Sequence, residues 1–117
     1  MKYDFDNIRP IYIQIIEYVK LDIISNRLNK GEKIPSVREY ATIMKVNPNT
    51  VQKALIELER EQLIYTERTN GKYVTNDDEL INKIKDEIIS NKLDSLINDL
   101  NNIGIDKEKI IEYLKRR

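Results

Sequence analysis

Apolar residues recur every three or four positions over most of the chain, which is the spacing of amphipathic helices. The first such stretch is residues 10–28, "PIYIQIIEYVKLDIISNRL". Its apolar positions are Ile11, Ile15, Val19 and Ile23, with Gln14, Glu17 and Lys20 off that face. Pro10 suits the first turn of a helix, where its missing amide proton would have had no partner. The pattern predicts a first helix over this stretch.

A second and a third helix follow, separated by a very short connection. Ser36 and Glu39 have the S-x-x-E spacing of a capping box, so the second helix begins near Val37. In "NPNT", Asn47 suits the N-cap of the third helix and Pro48 its first position. The inner faces are Val37, Tyr40, Ala41 and Met44 in the second helix, and Val51, Ala54, Leu55 and Leu58 in the third. Only "KVN" joins the two helices, so they must cross steeply, as in a helix-turn-helix.

The spacing then changes to that of strands. The alternating residues are Leu63 and Tyr65, then Tyr73 and Thr75, on either side of "TNGK". The dipeptide Asn70-Gly71 is typical of a β-hairpin turn. A hairpin is therefore predicted after the third helix.

The last third of the chain returns to helical spacing. Asp77 or Asp78 caps a long helix that Gly104 ends, and Asp106 caps a short final helix. The apolar stripe of the long helix comprises Ile81, Ile84, Ile88, Leu93, Leu96, Leu100 and Ile103. One short helix leaves much of so wide a stripe uncovered. We expect a twofold-related copy to cover it, so these seven residues are predicted to form a homodimer interface.

Length and composition narrow the class of protein. The chain has 117 residues, 40% hydrophobic and 34% charged, which suits one small folded domain with a short appended element. It has no Cys and no His, so the usual metal, thiol and imidazole chemistries lack their ligands, and we expect neither an enzyme nor a cofactor. No apolar run is long enough to span a bilayer, and the N-terminus does not resemble a signal peptide. A cytoplasmic bacterial protein without a membrane partner is expected.

Charge is balanced in total but not in distribution. The formal net charge is zero. From Tyr40 to Ile56, however, the only charged residues are Lys45 and Lys53, and from 68 to 76 they are Arg68 and Lys72. Two short surfaces are therefore cationic, and the first includes the start of the third helix.

Three helices, a tight turn and a hairpin make a winged helix-turn-helix, so the fold class is mainly α with a small β-hairpin. The start of the third helix of such a fold fits the major groove of DNA. Asn, Thr and Gln at that start can bond to base edges, and an acid-free helix start avoids repulsion by phosphates. Double-stranded DNA is the expected partner.

The motifs also resemble a known family. "PIY", "KIPSVRE", "NTVQKA" and a wing ending in "YV" occur in the order and separation found in the DNA-binding domain of GntR-family transcriptional regulators, over residues 10–74. "VNPNT" with a short helical tail is similar to the YtrA-like subfamily, whose tail is a two-helix dimerisation element. The resemblance implies a DNA-binding domain at residues 1–76 and a helical dimerisation element at 77–117. It further implies a repressor of a transporter operon and of its own gene that binds a palindromic operator.

The resemblance also implies which residues touch DNA. Arg38 would contact phosphate or a base from the second helix, and residues at the wing tip would reach the minor groove. The full predicted set is Arg38, Lys45, Asn47, Asn49, Thr50, Gln52, Lys53, Asn70, Gly71 and Lys72. Many family members have Arg where Pro48 and Gln52 stand here, so a site rich in A and T is expected.

Other interpretations of the same residues stay open at this point. "NPNT" is also an ordinary helix cap, and Arg38 could be a solvated partner of Glu39 or Glu57. The carboxylate pairs Glu57/Glu61 and Asp86/Glu87 have no nucleophile beside them and indicate solvated faces. The zero net charge allows a winged domain that binds another protein instead of DNA. An unidentified small-molecule effector would need a pocket at the dimer or interdomain junction.

Overall fold

The computed structural model describes residues 3–117, and within them the fold is mostly helical with one small sheet. The elements are α1 (Ile11–Ile24), α2 (Val37–Met44), α3 (Pro48–Arg60), β1 (Ile64–Glu67), β2 (Gly71–Val74), α4 (Asp78–Asn102) and α5 (Lys107–Lys115). This confirms the predicted winged helix-turn-helix followed by two helices. Between residues 3 and 117 no helix is both long and apolar enough to cross a membrane. The chain divides between Asn82 and Lys83 into two compact units.

The core of the first unit lies where α3 packs against α1, α2 and β1. Its most deeply buried side chains are Ile15, Val19, Ile23, Tyr40, Val51, Leu55, Leu58, Leu63, Ile64 and Val74. Burying one such aliphatic side chain contributes about 1.5–3 kcal/mol to the free energy of unfolding. The predicted inner faces of α2 and α3 are confirmed, except that Val37 is only half-buried.

The first helix differs from its prediction in length and in one face residue. It ends at Ile24 instead of continuing to residue 28, because Asn26 adopts a left-handed conformation with φ of 62°. Gln14, predicted to lie off the apolar face, is 2% exposed. Its carbonyl oxygen accepts from the Asp6 N–H at 2.9 Å, and its Nε2 donates to the Arg9 carbonyl at 2.9 Å. The side chain is buried because the segment before α1 satisfies it.

The predicted capping box of α2 is confirmed. The Glu39 N–H donates to Ser36 Oγ at 3.1 Å, and the Ser36 N–H donates to Glu39 Oε1 at 2.9 Å. That second bond lowers the pKa of the Glu39 carboxyl. The carboxylate of Glu39 is therefore committed to its own helix start.

The hairpin forms as predicted, but its inner face is different. Ile64 pairs with Val74, and both are buried, while Tyr65 and Tyr73 stack on the other face with ring centroids 5.8 Å apart. The loop is Arg68–Asn70, and Gly71 follows it with φ of 104°. A three-residue hairpin loop is commonly followed by a residue of positive φ. Glycine adopts that conformation without strain, which explains Gly71 at this position. Segment 31–34 adds a further edge, since the Ile34 N–H donates to the Lys72 carbonyl at 2.9 Å.

The ends of α4 and α5 agree with the sequence. Asp77 caps α4, because its Oδ1 accepts from the Leu80 N–H at 3.1 Å. Gly104 has φ of 86° just beyond the end of α4. Asp106 Oδ1 accepts from the Lys109 N–H at 2.9 Å and caps α5. The two aspartate caps and Gly104 therefore determine where α4 begins, where it ends and where α5 begins.

Candidate nucleic-acid interface

The turn between α2 and α3 depends on the left-handed backbone of Lys45. Its φ and ψ are 58° and 48°, and the N–H groups of Lys45 and Val46 both donate to the Ala41 carbonyl. A non-glycine residue in this conformation costs about 1–2 kcal/mol. The Lys45 side chain is exposed beside the start of α3. A cation thus stands where glycine would be the more stable choice.

The start of α3 is fixed by its cap, as predicted. Asn47 Oδ1 accepts from the Asn49 N–H at 2.7 Å, and Pro48 occupies the first helical position. The Asn47 carbonyl accepts from the Thr50 and Val51 N–H groups at 3.0 and 3.2 Å. Asn47 and Asn49 are exposed, whereas Thr50 is half-buried. The cap therefore sets which side chains the first turn presents to solvent.

The outer face of α3 carries polar side chains that no core contact uses. Asn49, Gln52, Lys53 and Ile56 follow the i, i+3, i+4, i+7 spacing of one helix face, and all four are exposed. This set is called the α3 outer face below. Ile56, 56% exposed, was not among the predicted site residues. Its spacing from Asn49 could have identified it, but an apolar residue in an amphipathic helix is normally assigned to the core.

An aromatic ring of α1 lies against the α3 outer face. Lys53 Nζ is 3.9 Å from the centroid of the Tyr12 ring, within cation–π range. A groove of about 440 Å³ is lined by Tyr12, Ile13, Asn49, Gln52, Lys53, Ile56 and Glu57. Tyr12 was not predicted as a site residue, because its contact with Lys53 joins two separate helices.

Arg38 is exposed on α2 and makes no ion pair within residues 3–117. The two acids considered as its partners are engaged elsewhere. Glu39 accepts from Ser36, and Glu57 accepts from Arg60 Nε at 3.1 Å. The guanidinium of Arg38 is therefore available for an external anion.

Each acid in the second half of α3 and at its C-terminal cap is paired with a cation of the same chain. Glu57 is bonded to Arg60, and this bond lowers the pKa of the Glu57 carboxyl. Glu59 Oε1 lies 2.7 Å from Lys72 Nζ, which likewise lowers the pKa of Glu59. Glu61 Oε1 lies 3.1 Å from Lys20 Nζ. The helix thus has no acid in its first two turns and neutralised acids after them.

The wing presents a different cation from the one predicted. Lys72 lies on β2, not at the tip, and its Nζ donates to Glu59 Oε1 at 2.7 Å and to Thr66 Oγ1 at 2.8 Å. The loop residue Arg68 is exposed and makes no ion pair in the described part of the chain. Asn70 and Gly71 are exposed beside it, as predicted. Within residues 3–117, Arg68 is therefore an unpaired cation at the wing tip; its charge is evident from the sequence, but it was not assigned to the interface.

Lys33 is a second cation that the sequence did not assign to the interface. It lies beside the wing and is exposed. A Cβ on Gly71 would come within 3.1 Å of Lys33 Cε, so the lysine stem crosses the open face of that glycine. Lys33 and Gly71 also line one shallow groove, with the start of α2 and Asn70. Lys33 thus joins Arg68 as a cation close to the wing.

The second unit carries exposed apolar side chains of its own. Among the seven predicted dimerisation residues, Leu93, Leu96 and Ile103 are the exposed members. Ile81, Ile88 and Leu100 are half-buried, and Ile84 is buried within the single chain. Further exposed apolar residues are Ile89, Ile111, Tyr113 and Leu114. The uncovered surface thus extends onto α5 and includes residues that the prediction left out.

The first unit offers hydrogen bonds and positive charge, not reactive groups. The exposed groups assigned to the interface are the guanidinium groups of Arg38 and Arg68, the ammonium groups of Lys45 and Lys53, and the amides of Asn49, Gln52 and Asn70. Among residues 3–117 no group of three or more His, Cys, Asp or Glu side chains is placed to hold a metal ion. The geometry suits recognition of an anionic surface.

Comparison with known proteins agrees with this geometry. The chain matches the family "Bacterial regulatory proteins, gntR family" over residues 11–74. The HTH-type transcriptional repressor YtrA of Bacillus subtilis (strain 168) is 43% identical over 107 residues, covering 91% of this chain and 82% of that protein. A solved GntR family transcriptional regulator from Listeria monocytogenes has a TM-score of 0.89 and 41% identity, covering 97% of this chain and 99% of that one.

A more distant structure shares the fold alone. It is the DNA-binding domain of AraR in complex with operator ORX1, with a TM-score of 0.56 and 24% identity, covering 64% of this chain and 90% of that one. The family match spans α1, the turn, α3 and the wing, which is more than half of the chain. The resemblance noted from the motifs is thereby confirmed, and the chain belongs to the gntR family of bacterial regulatory proteins, a family of transcriptional regulators.

Proposed function

We propose that the chain is a repressor that binds a palindromic DNA operator as a homodimer. The observation that carries this proposal is the α3 outer face. It has no acid over the first two turns of the helix, and the acids that follow are paired with Arg60, Lys72 and Lys20. A helix start of this kind can enter the major groove without repulsion from the phosphates.

Base recognition is assigned to the amides of the α3 outer face. Asn49 and Gln52 are exposed, and either amide can pair bidentately with the N6 and N7 groups of adenine. No arginine lies on this face, which disfavours strong guanine recognition. The proposed operator is therefore rich in A and T where α3 meets it.

Phosphate contacts are assigned to cations around α3. Arg38 makes no ion pair in the described chain, and Lys45 is exposed at the turn. Arg68 at the wing tip is placed to enter the adjacent minor groove, with Asn70 beside it. Each contact to a phosphate positions the protein on the duplex without reading sequence.

The second unit is assigned to self-association. Leu93, Leu96 and Ile103 are about half exposed or more, and such side chains are stabilised by a partner surface. A twofold-related copy would meet the same residues on both sides, which is the commonest symmetry of small oligomers. Two winged units would then face half-sites about one helical turn, roughly 10 bp, apart.

The regulated genes and the signal are proposed from the family resemblance. YtrA of Bacillus subtilis is named as a repressor, and we extend repression to this chain. A transporter operon that includes the repressor gene itself is the proposed target. A small-molecule effector at the dimer junction would act by changing the spacing of the two α3 helices.

Selection of duplexes from a randomised pool tests the proposal. The purified protein is mixed with duplexes whose central segment is random, and bound sequences are recovered at moderate salt. An inverted repeat with A/T-rich half-sites is expected, bound with Kd on the order of 10⁻⁸ M or tighter. Light scattering of the free protein should give the mass of two chains. Recovery of no common sequence would refute DNA recognition and favour a protein partner for the winged unit.

A further inference from the structure

We propose that Tyr12 is a positioning residue for DNA binding: its ring holds the Lys53 ammonium on the α3 outer face, ready to meet a phosphate. This proposal rests on the DNA-binding function proposed above. Lys53 Nζ lies 3.9 Å from the Tyr12 ring centroid, and Lys53 makes no ion pair within residues 3–117. The ring is therefore the partner of that ammonium in the free protein.

The ring itself is held by packing. Tyr12 is half-buried, and the phenol makes no hydrogen bond in the described part of the chain. Ile15 and Ile16, on the following turn of α1, are buried where α1 packs against α3. The position of the ring is consequently fixed by the core, and the hydroxyl is not needed for it.

A nearby acid could take the place of the Tyr12 ring as the partner of Lys53. Glu57 is four residues after Lys53 and lines the same groove. A lysine and a glutamate at this spacing attract each other on a helix surface. In the structure Glu57 bonds instead to Arg60, and Lys53 lies over Tyr12. The ring and Arg60 together keep the lysine from neutralising itself on its own helix.

The physical advantage is that the Lys53 side chain is already partly ordered before DNA binds. A lysine side chain has about 2 kcal/mol of rotamer entropy to lose when its ammonium is fixed. A stem already placed over a ring loses part of that freedom during folding, so less is lost when DNA binds. The cation also keeps a free side, since Lys53 stays exposed.

Four variants test the proposal on the duplex recovered by selection: Tyr12→Phe, Tyr12→Leu, Lys53→Met, and Tyr12→Leu combined with Lys53→Met. Loss of a cation–π contact at an exposed site corresponds to about a two- to fivefold change in Kd per half-site. Tyr12→Leu should weaken binding by that factor, and Tyr12→Phe should bind like the wild type because it keeps the ring. In the Lys53→Met background, Tyr12→Leu should have no further effect.

Salt dependence supplies a readout that a purely structural role would not change. Loss of one phosphate contact lowers the slope of log K against log salt by about one per lysine. Lys53→Met should show this lower slope, and Tyr12→Leu should move toward it. Thermal unfolding of each variant establishes that it is folded at the temperature of the binding assay.

Three results would overturn the proposal. Additive effects of Tyr12→Leu and Lys53→Met on Kd would show that Tyr12 does not act through Lys53. Weaker DNA binding by Tyr12→Phe than by the wild type would show that the hydroxyl is needed. Tighter binding by Tyr12→Leu would mean that the ring holds the lysine back from DNA. In each case the wild type still binds the selected duplex, so the proposed function survives. A wild type that binds no duplex refutes both.

Discussion

Lys72 Nζ lies 2.7 Å from Glu59 Oε1 and thereby joins the wing to α3. Thr66 on the paired strand takes part, with its hydroxyl 2.7 Å from Glu59 Oε1 and 2.8 Å from Lys72 Nζ. The two parts of the proposed interface are therefore linked by side chains as well as by the chain between them. This link adds to the packing of β1 against α3 in holding the wing beside the helix.

Replacing Glu59 by Gln distinguishes a linking role for Lys72 from a direct DNA contact. If Lys72 serves as a link, Glu59→Gln should weaken operator binding, because the wing is less firmly placed, and should speed amide exchange in β2. If Lys72 contacts DNA, the same change should tighten binding, since it frees a cation and removes an acid. Filter binding on the selected duplex measures the difference.

A matched control for that substitution is Lys30→Met. Lys30 forms another exposed ion pair, with Nζ 2.9 Å from Asp78 Oδ2, and it was not assigned to the interface. Either substitution should change the free energy of unfolding by at most about 1 kcal/mol. Only Glu59→Gln should change the affinity for DNA.

The free energy of unfolding of the protein should decrease at acidic pH. The pKa of Glu59 is lowered mainly by its bond to Lys72, that of Glu57 by Arg60, and that of Glu39 by the Ser36 amide. A lowered pKa means that the unfolded chain takes up protons first, at about pH 4.3 for glutamate. The stabilisation is complete above that pH and is lost as pH falls through the lowered values.

Urea unfolding across this range gives the test. The midpoint for the wild type should be constant near neutral pH and should decrease below about pH 4.3. The decrease should be smaller for Glu59→Gln, which has no proton to take up at this position. An equal decrease in the two proteins would show that Glu59 contributes nothing to the acid response.

Arg38→Ala should abolish specific DNA binding without affecting the fold. Arg38 makes no ion pair in residues 3–117, so the free energy of unfolding should change by less than about 0.5 kcal/mol. Arg27→Ala is the contrasting control, because Arg27 Nε lies 2.8 Å from the buried carboxylate of Asp22. That change should cost about 1–3 kcal/mol. Wild-type affinity in Arg38→Ala would exclude the assigned contact.

Lys45 should show opposite effects on stability and on binding. Lys45→Gly should raise the free energy of unfolding by about 1 kcal/mol, because glycine adopts positive φ without strain. It should also weaken DNA binding by removing a cation near the phosphates. Lys45→Asn, which tolerates the same conformation, separates the loss of charge from added backbone freedom. Undiminished affinity in both variants would show that Lys45 does not contact DNA.

The dimer should depend on α4. Leu96→Glu places a charge on the exposed apolar surface and should shift the protein to the mass of one chain in light scattering. Ser95→Glu, at the neighbouring exposed position, should leave the dimer intact. The monomer should bind one half-site weakly and lose its preference for the inverted repeat. A dimer that persists in Leu96→Glu would place the interface elsewhere.

Local features of the fold were predictable, and long-range ones were not. Asn47, Pro48 and the Ser36–Glu39 box act within one helical turn, so four residues of sequence suffice to identify them. The hairpin was also predictable, but not its inner face, because Ile64, Tyr65, Tyr73 and Val74 are all apolar enough for either side. The turn between α2 and α3 followed from its length alone.

The missed contacts join residues that belong to different segments of the fold. From the sequence Gln14 is expected at the surface, because its partners Asp6 and Arg9 precede the helix in irregular structure that no pattern predicts. Lys72 was assigned to the wing tip from the family resemblance, and its pairing with Glu59 was missed because that acid is on α3. The distance between Tyr12 and Lys53 is set by packing of α1 against α3, for which the sequence has no short-range pattern.

Glu57, Glu59 and Glu61 are each paired with a cation, so these pairs add no net positive charge beside α3. The whole chain is balanced in the same way, and this affects how the protein would reach a DNA target. With a formal net charge of zero, the molecule has little long-range attraction to a distant duplex. Encounters then occur at the modest rate of uncharged partners, about 10⁵–10⁶ M⁻¹s⁻¹. Occupancy of the proposed operator would then be set by how long each complex lasts, and the side chains at the contact would control that lifetime.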